Sequence, residues 1–328
     1  MKKLAKLKNK NVVIIDGMNL FHRVYYTTYQ LTSKTGYPTG AVFGFFRSLL
    51  HLVDITKSNQ FIICWESNKK NWKKKKDDNY KANRNKKWTE DEVSAFRTCL
   101  RDVKQLANLI GILQLTVDNH EADDSIFYLV DKIKNDIIVV SRDKDMLQLV
   151  SNKRNVVCYR PTSKGTKKID GVKSIGGYEI INVSACKKVF HGLTPKLIPY
   201  YLAIAGDAGD NVKGIIGYGE KRALQIINEY GVINNNNLLF AIPDKKHRKQ
   251  FIDSLILVKS KSIIKRYPKL KIENFDGYGV FFQNEYIDEM IDDFGIQKYN
   301  TNTLRMLNPF PSFKSKIINK KLKINYKY

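Results

Sequence analysis

The chain has 328 residues, of which 43% are hydrophobic and 27% charged, enough apolar material for one large or two modest globular domains. Its 57 Lys and Arg against 32 Asp and Glu give a net charge of +25, which indicates a polyanionic partner. No apolar run reaches membrane-spanning length and no lipidation motif is present, which argues against a membrane as that partner. Four scattered cysteines without a CxxC pair are typical of reduced thiols in the cytoplasm, not of a disulfide framework.

The first 160 residues alternate between short apolar runs and apolar residues at helical spacing. The runs predict strands at 12–15, 60–65, 114–117, 137–140 and 155–159, with a turn at Gly17 and Asn19 after the first. The helical spacing predicts helices at 41–55, 89–110 and 125–133, the second of which opens on a Thr89–Glu92 capping box. Strands and helices in alternation predict an α/β fold with a parallel sheet.

The second half of the sequence predicts a hairpin or surface loop at 165–177 and then helices. These helices are expected at 194–205, 220–230, 243–259 and 286–294, followed by a lysine-rich tail. The pattern divides the chain into an α/β core at 1–190, a helical subdomain at 191–311 and a basic tail at 312–328.

Residues 67–88 interrupt the alternation with a lysine- and arginine-rich segment. Trp72, Tyr80 and Trp88 lie among the basic residues, a composition that favours stacking against unpaired bases of a nucleic acid. The alternative is an ordinary solvated basic loop.

Carboxylates follow several predicted strands and form clusters elsewhere. Nine are candidate metal ligands: Asp16, Glu66, Glu121, Asp123, Asp124, Asp143, Asp145, Asp207 and Asp210. The carboxyl ends of parallel strands meet in one crevice, and crowded acids repel unless cations lie between them. Oxygen ligands favour Mg²⁺ or Mn²⁺, and two such ions support phosphodiester hydrolysis. For any single acid, a helix cap or a surface charge is the simpler explanation; for the whole set it is not.

The stretch GDAGDNVKGIIGYGEKRA, residues 206–223, combines two of these acids with a glycine turn at the start of a helix. Gly217 and Gly219 precede Lys221 and Arg222, which places backbone N–H groups and two cations where a phosphate can bind. A plain glycine turn is the alternative. With the preceding helix, the layout is that of a helix-hairpin-helix, residues 194–231, that grips a DNA backbone.

Four motifs together resemble the flap endonuclease and 5′-nuclease family, which includes the N-terminal nuclease domain of bacterial DNA polymerase I and free-standing bacteriophage 5′-exonucleases. They are VVIIDGMNL from Val12, YKANR from Tyr80, EADD from Glu121 with SRDKD from Ser141, and the 206–223 stretch. Without a polymerase part, the chain is expected to be of the free-standing type.

The resemblance implies a PIN-like parallel-sheet core with a helical arch at about 67–100 and an embedded helix-hairpin-helix. It assigns the acids other than Glu66 to the metal site, with Asp16 and Asp143 central to catalysis. It assigns Lys81 and Arg84 to the scissile phosphate, Tyr80 and the hairpin to DNA binding, and a K⁺ ion to the hairpin. The family's second strand usually ends in Asp, so Glu66 departs from the pattern and its role as a ligand is left open.

These features predict a monomeric, cytoplasmic 5′-3′ exonuclease and flap endonuclease of DNA replication and repair, using two or more Mg²⁺ ions. Its expected substrates are DNA with 5′ flaps or 5′ ends, and RNA–DNA hybrids as a further class; a phage-encoded protein would act in the host cytoplasm. Two alternatives stay open at this point: a non-catalytic DNA-binding protein on a decayed nuclease fold, and an RNA-only ribonuclease of the same sheet type.

Overall fold

The computed structural model describes residues 11–259 apart from 34, 35, 59, 85–87, 110, 111, 164, 166 and 235. The helix predicted at 286–294 and the basic tail at 312–328 lie outside the described residues. None of the described helices is long and apolar enough to cross a membrane.

A seven-stranded sheet forms the centre of the fold. Its strands in chain order are β1 Val12–Asp16, β2 Gln60–Trp65, β3 Leu113–Thr116, β4 Ile137–Val140, β5 Val156–Pro161, β6 Ser174–Ile175 and β7 Tyr178–Ile181, and their spatial order is β3-β2-β1-β4-β5-β7-β6. The first five strands are parallel, which confirms the predicted α/β class. The antiparallel β7 pairs with β5 and then with β6. The predicted 165–177 hairpin or loop therefore contains β6, the strand at the edge of the sheet.

The described residues form ten α-helices around the sheet. They are α1 Gly17–Thr28, α2 Gly40–Thr56, α3 Trp72–Lys76, α4 Glu90–Leu109, α5 Ala122–Lys132, α6 Val183–Val189, α7 Ile198–Ala205, α8 Glu220–Tyr230, α9 Leu238–Ala241 and α10 Lys245–Val258. The predicted capping box is confirmed at α4, where the Thr89 backbone N donates to Glu92 Oε2 at 2.9 Å and the Glu92 N donates to Thr89 Oγ1 at 3.2 Å.

The two faces of β1 belong to two separate hydrophobic cores. Val13 and Ile15 pack with apolar residues of α1, α2 and α4 on one face of the sheet. Val12 and Ile14 belong to the core on the other face, which takes in α5, α7, α8 and α10. The helices after residue 194 therefore share a core with the sheet. The division of the chain at about residue 190 stays a prediction.

The turn predicted at Gly17 and Asn19 is wrong, because α1 begins directly at Gly17. Asp16 caps this helix, with its Oδ1 accepting from the Asn19 backbone N at 3.0 Å. Gly17 is required by packing, since a Cβ there would lie 2.5 Å from the Trp65 ring. The first helix therefore starts immediately after β1, and its first turn fixes the orientation of the Asp16 carboxylate.

Candidate active site

The carboxyl ends of β1, β2 and β4 bring the first candidate acids to one edge of the sheet. Asp16 ends β1, and its Oδ2 accepts a hydrogen bond from Ser141 Oγ at 3.0 Å. Burial raises the pKa of Asp16 to about 7, and the nearby negative charges of Asp143 and Glu66 add to that rise. Glu66 follows β2 with its side chain exposed. The predicted convergence of acids at these strand ends is present in the fold.

A second group of acids opens α5. Glu121 is the N-cap residue, and Asp123 and Asp124 lie in the first turn. The docking segment, which we define as residues 71–84, lies against them: Lys73 Nζ is 3.0 Å from Glu121 Oε2 and 2.7 Å from Asp123 Oδ2. Trp72 Nε1 donates to Asp124 Oδ2 at 2.8 Å.

The two buried carboxyls at the start of α5 have pKa values on opposite sides of their usual range. Burial alone would raise the pKa of Glu121, but the ammonium groups of Lys73 and Lys81 hold it at about 2. The pKa of Asp124 is raised to about 6, chiefly by burial and despite the charge of Lys73. Lys73 therefore lowers the pKa of both acids, and the effect of burial prevails only at Asp124.

Lys81 and Arg84, the basic residues of the YKANR motif, contact Glu121 and Asp210. Lys81 Nζ is 2.5 Å from Glu121 Oε1 and 3.8 Å from Asp210 Oδ2, and Arg84 Nη2 is 2.5 Å from Asp210 Oδ1. Lys81 has a left-handed backbone (φ 55°), unusual for a residue with a side chain, and its N–H donates to the Asp210 carbonyl at 2.9 Å. Strain of this kind concentrates at functional sites.

The last acids follow β4 and α7. Asp143 caps a 3₁₀ turn by accepting from the Asp145 N at 2.9 Å, and burial raises the pKa of both carboxyls. Asp207 Oδ1 is 2.8 Å from Lys144 Nζ. The charge of Asp210 contributes to both raised pKa values, so the acids after β4 and α7 lie within electrostatic reach of those that contact the docking segment.

The donor set fits divalent cations that prefer oxygen. Asp124 Oδ1 and Asp145 Oδ1 are buried and lack a hydrogen-bond partner within the described part of the chain, which is costly unless another group satisfies them. Mg²⁺ binds such oxygens. As they stand, no three acid, His or Cys side chains among the described residues surround a common point. Lysine and arginine groups instead contact the carboxylates.

The hairpin between α7 and α8 has the predicted form. Gly214 (φ 66°) packs so closely on α7 that a Cβ would lie 2.4 Å from the Gly206 N. Gly217 (φ 81°) and Gly219 have no heavy atom within 4 Å of an added Cβ, so their backbone faces open space. Lys221 and Arg222 are exposed in the first turn of α8. A phosphate can therefore approach this backbone closely.

The base-stacking prediction is wrong for two of its three aromatic residues. Tyr80 is 1% and Trp72 7% exposed, so neither ring is open to a base. The Tyr80 hydroxyl lies 2.9 Å from Glu121 Oε2 and 2.7 Å from Asp210 Oδ2, so this residue joins two acid groups. Trp88 is half-buried, with its ring centroid 4.9 Å from that of Phe96.

Sequence reasoning missed three polar residues of this site. Lys73 and Lys144 pair with acids, and Ser141 bonds Asp16. Lys73 is one of four consecutive lysines, so the sequence does not show which of them is buried. The adjacent apolar Trp72 is the one signal that could have pointed to Lys73. Lys144 and Ser141 lie inside the SRDKD motif, where the acids alone drew attention.

Comparison with known proteins places the chain in a family. The family described as 5′-3′ exonuclease, N-terminal resolvase-like domain, matches residues 11–177. The 5′-3′ exonuclease of Aquifex aeolicus is 31% identical over 229 residues, which are 69% of this chain and 72% of that protein. The one from Bacillus subtilis is 30% identical over 237 residues, 70% of this chain and 73% of that protein.

Solved structures share the fold. T5 5′-exonuclease with bound zinc superposes with a TM-score of 0.60 at 20% identity, covering 87% of this chain and 98% of that one. The T5 D15 flap endonuclease, in a pseudo-enzyme–product complex with DNA and metal ions, gives 0.57 at 20% identity and covers 90% and 99%. The family match over residues 11–177 and the two relatives that are 31% and 30% identical show that the chain belongs to the 5′-3′ exonuclease family.

Proposed function

We propose that this 5′ nuclease uses Mg²⁺ to cut DNA at 5′ flaps and to degrade it from 5′ ends. The observation that carries the proposal is the direct contact of Lys81 with Glu121, at the start of α5, and of Arg84 with Asp210, after α7. The relatives from Aquifex aeolicus and Bacillus subtilis are named 5′-3′ exonucleases, and one structural neighbour is a flap endonuclease bound to DNA and metal ions.

The nine acids are the groups that would hold the ions. Bound Mg²⁺ ions would supply charge stabilisation for phosphodiester hydrolysis. Asp124 and Asp145 offer buried side-chain oxygens without a hydrogen-bond partner in the described part of the chain, and Asp143 lies beside Asp145. Glu66 stays a candidate ligand, since its side chain is exposed at the end of β2.

Lys81 and Arg84 act on the phosphate itself. A phosphate bound at the carboxylates would gain two cations that neutralise the negative charge developing in the transition state. Lys81 is 14% and Arg84 53% exposed, so the pair runs from the buried acids to the surface. Arg84 is therefore the first of the two that an incoming strand meets.

The hairpin holds the duplex part of the substrate. Gly217 and Gly219 let the DNA backbone approach, and Lys221 and Arg222 contribute charge without reading the sequence. We propose a K⁺ ion at the same turn, and Mn²⁺ as a substitute for Mg²⁺. RNA–DNA hybrids are a second proposed substrate class, and the protein is proposed to act as a monomer in the cytoplasm, where its four buried free cysteines would stay reduced.

A substrate panel tests the proposal. A labelled 5′-flap duplex, a blunt duplex, an RNA–DNA hybrid and a folded RNA are incubated with the protein, with and without Mg²⁺. We expect fastest cleavage of the flap, near its junction, and none in chelator. Cleavage of the folded RNA alone would favour an RNA-only ribonuclease, and flap binding without any cleavage would favour a non-catalytic protein.

A further inference from the structure

Lys73 is a buried cation at the centre of the acid cluster. Its side chain is 1% exposed, although it lies in a run of four lysines on α3 whose other members are exposed. Burying an ammonium group is costly unless it is paired. Two carboxylates pair with it, Glu121 at 3.0 Å and Asp123 at 2.7 Å.

Two aromatic rings complete the surroundings of this ammonium group. Lys73 Nζ lies 6.0 Å from the ring centroid of Trp72 and 5.6 Å from that of Tyr80, within the range of cation–π attraction. The same two residues bond to acids through Trp72 Nε1 and the Tyr80 hydroxyl. The docking segment is thus fastened to the acids by three neighbouring side chains, with the cation in the middle.

We propose that Lys73 is a positioning residue, which fixes the Glu121 and Asp123 carboxylates and clamps the docking segment so that Lys81 and Arg84 face the bound phosphate. Lys73 engages one oxygen each of Glu121 and Asp123. The other Glu121 oxygen contacts Lys81, so by fixing the Glu121 carboxylate Lys73 also fixes the position of the Lys81 ammonium group. The inference rests on the proposed function, because it assigns Lys73 a part in that site.

The residue acts through its neighbours, and groups in this role typically contribute about 10–100-fold to activity. We expect Lys73→Met to lower the single-turnover rate constant at saturating flap and Mg²⁺ by about 10–100-fold. Flap affinity should change only about threefold, since one charge among 57 basic residues is lost. Lys73→Arg keeps the charge and the donors and should restore most of the rate.

Lys74→Met is the matched control. Lys74 lies in the same helix, is exposed, and its loss removes the same charge. Its rate constant should stay within about threefold of the parent, as is usual for a surface substitution. A loss of folded protein would lower the amplitude of the single-turnover reaction and leave the rate constant of the remaining molecules unchanged, which separates a structural role from positioning.

Limited trypsin digestion, without metal or DNA, supplies a readout independent of activity. Lys73→Met and Lys74→Met each remove one trypsin site from the docking segment. If Lys73 clamps this segment, cleavage after Lys75, Lys76 or Lys81 should be at least about tenfold faster in Lys73→Met than in Lys74→Met, reflecting local opening. Equal digestion of the two variants would contradict the clamp.

The proposal is overturned if Lys73→Met cuts with a rate constant close to that of the parent. If Lys73→Met gives no folded protein, Lys73→Gln replaces it, because glutamine keeps two hydrogen-bond donors without the charge. Its rate constant is expected to be at least about tenfold lower than that of the parent, because neutral donors bind carboxylates more weakly. A parental rate in Lys73→Gln would likewise contradict it. If the parent itself does not cut the flap, the proposed function fails instead.

Discussion

Lys81 is the residue whose loss should separate chemistry from binding. Its ammonium group lies on Glu121 and close to Asp210, within the acid cluster. Charge on the phosphate grows in the transition state, so a cation there affects rate more than binding. We expect Lys81→Ala to lower the single-turnover rate by about a hundredfold and the flap affinity by only a few-fold.

The control for Lys81 is Lys75→Ala, in the same basic segment but exposed and outside the motif. It should have a mild effect on rate and on affinity, measured by single-turnover cleavage and by flap titration. If the two variants lose rate equally, Lys81 is one charge among many and has no catalytic role.

Asp16 predicts how stability depends on pH. Burial raises its pKa in the folded protein to about 7, above the ordinary value of 3.8, so folding favours the protonated carboxyl. The stability that this group contributes is complete below about pH 4 and is lost as the pH rises through 7. In chelator, Asp16→Asn should therefore melt at a higher temperature than the parent at pH 8, with a smaller difference at pH 5. Thermal melting that shows the larger difference at pH 5 would contradict this account.

At the scale of secondary-structure elements, the glycines of the hairpin between α7 and α8 have two different roles. Gly214→Ala places a Cβ 2.4 Å from the Gly206 backbone and should prevent stable folding.

Gly219 has φ −86°, which any residue adopts, and open space around it. Gly219→Ala should keep the melting temperature within about 2 °C and weaken duplex binding several-fold, because the added methyl group blocks the backbone N–H groups.

Calorimetry and duplex titration check this pair of substitutions. Binding of single-stranded DNA by Gly219→Ala serves as the control and should change little. Parental duplex affinity in Gly219→Ala would mean that the hairpin does not contact the DNA backbone.

The elements that the sequence predicts well are those with a single strong pattern. The β-branched runs of β1 and β4 and the acids after them are read directly from the chain, because buried parallel strands are continuously apolar. The start of α1 was missed because Gly17 and Asn19 are also turn residues, and the glycine is explained by tertiary contacts with Trp65 and Ile63. Lys73 was missed because burial of one lysine among four depends on tertiary contacts.

At the scale of the whole molecule, the net charge of +25 predicts binding that depends strongly on salt. Each phosphate neutralised contributes a slope of about −0.9 to the logarithm of affinity against the logarithm of salt concentration. A flap titration between low and physiological salt should give a slope of several such units. In this account the basic surface binds the DNA and the acid cluster carries out the cleavage. An affinity that does not change with salt would contradict binding through the DNA backbone.

The central claim is that the acids hold the ions for cleavage and do not hold the DNA. Asp143 is the most direct test, since its half-buried carboxyl lies within electrostatic reach of both Asp16 and Asp210. A labelled 5′-flap duplex is incubated with the parent and with Asp143→Ala, in Mg²⁺ and in chelator. The account predicts cleavage near the junction by the parent in Mg²⁺ only, and parental flap binding without cleavage by Asp143→Ala. Near-normal turnover by Asp143→Ala, or cleavage by the parent in chelator, would contradict it.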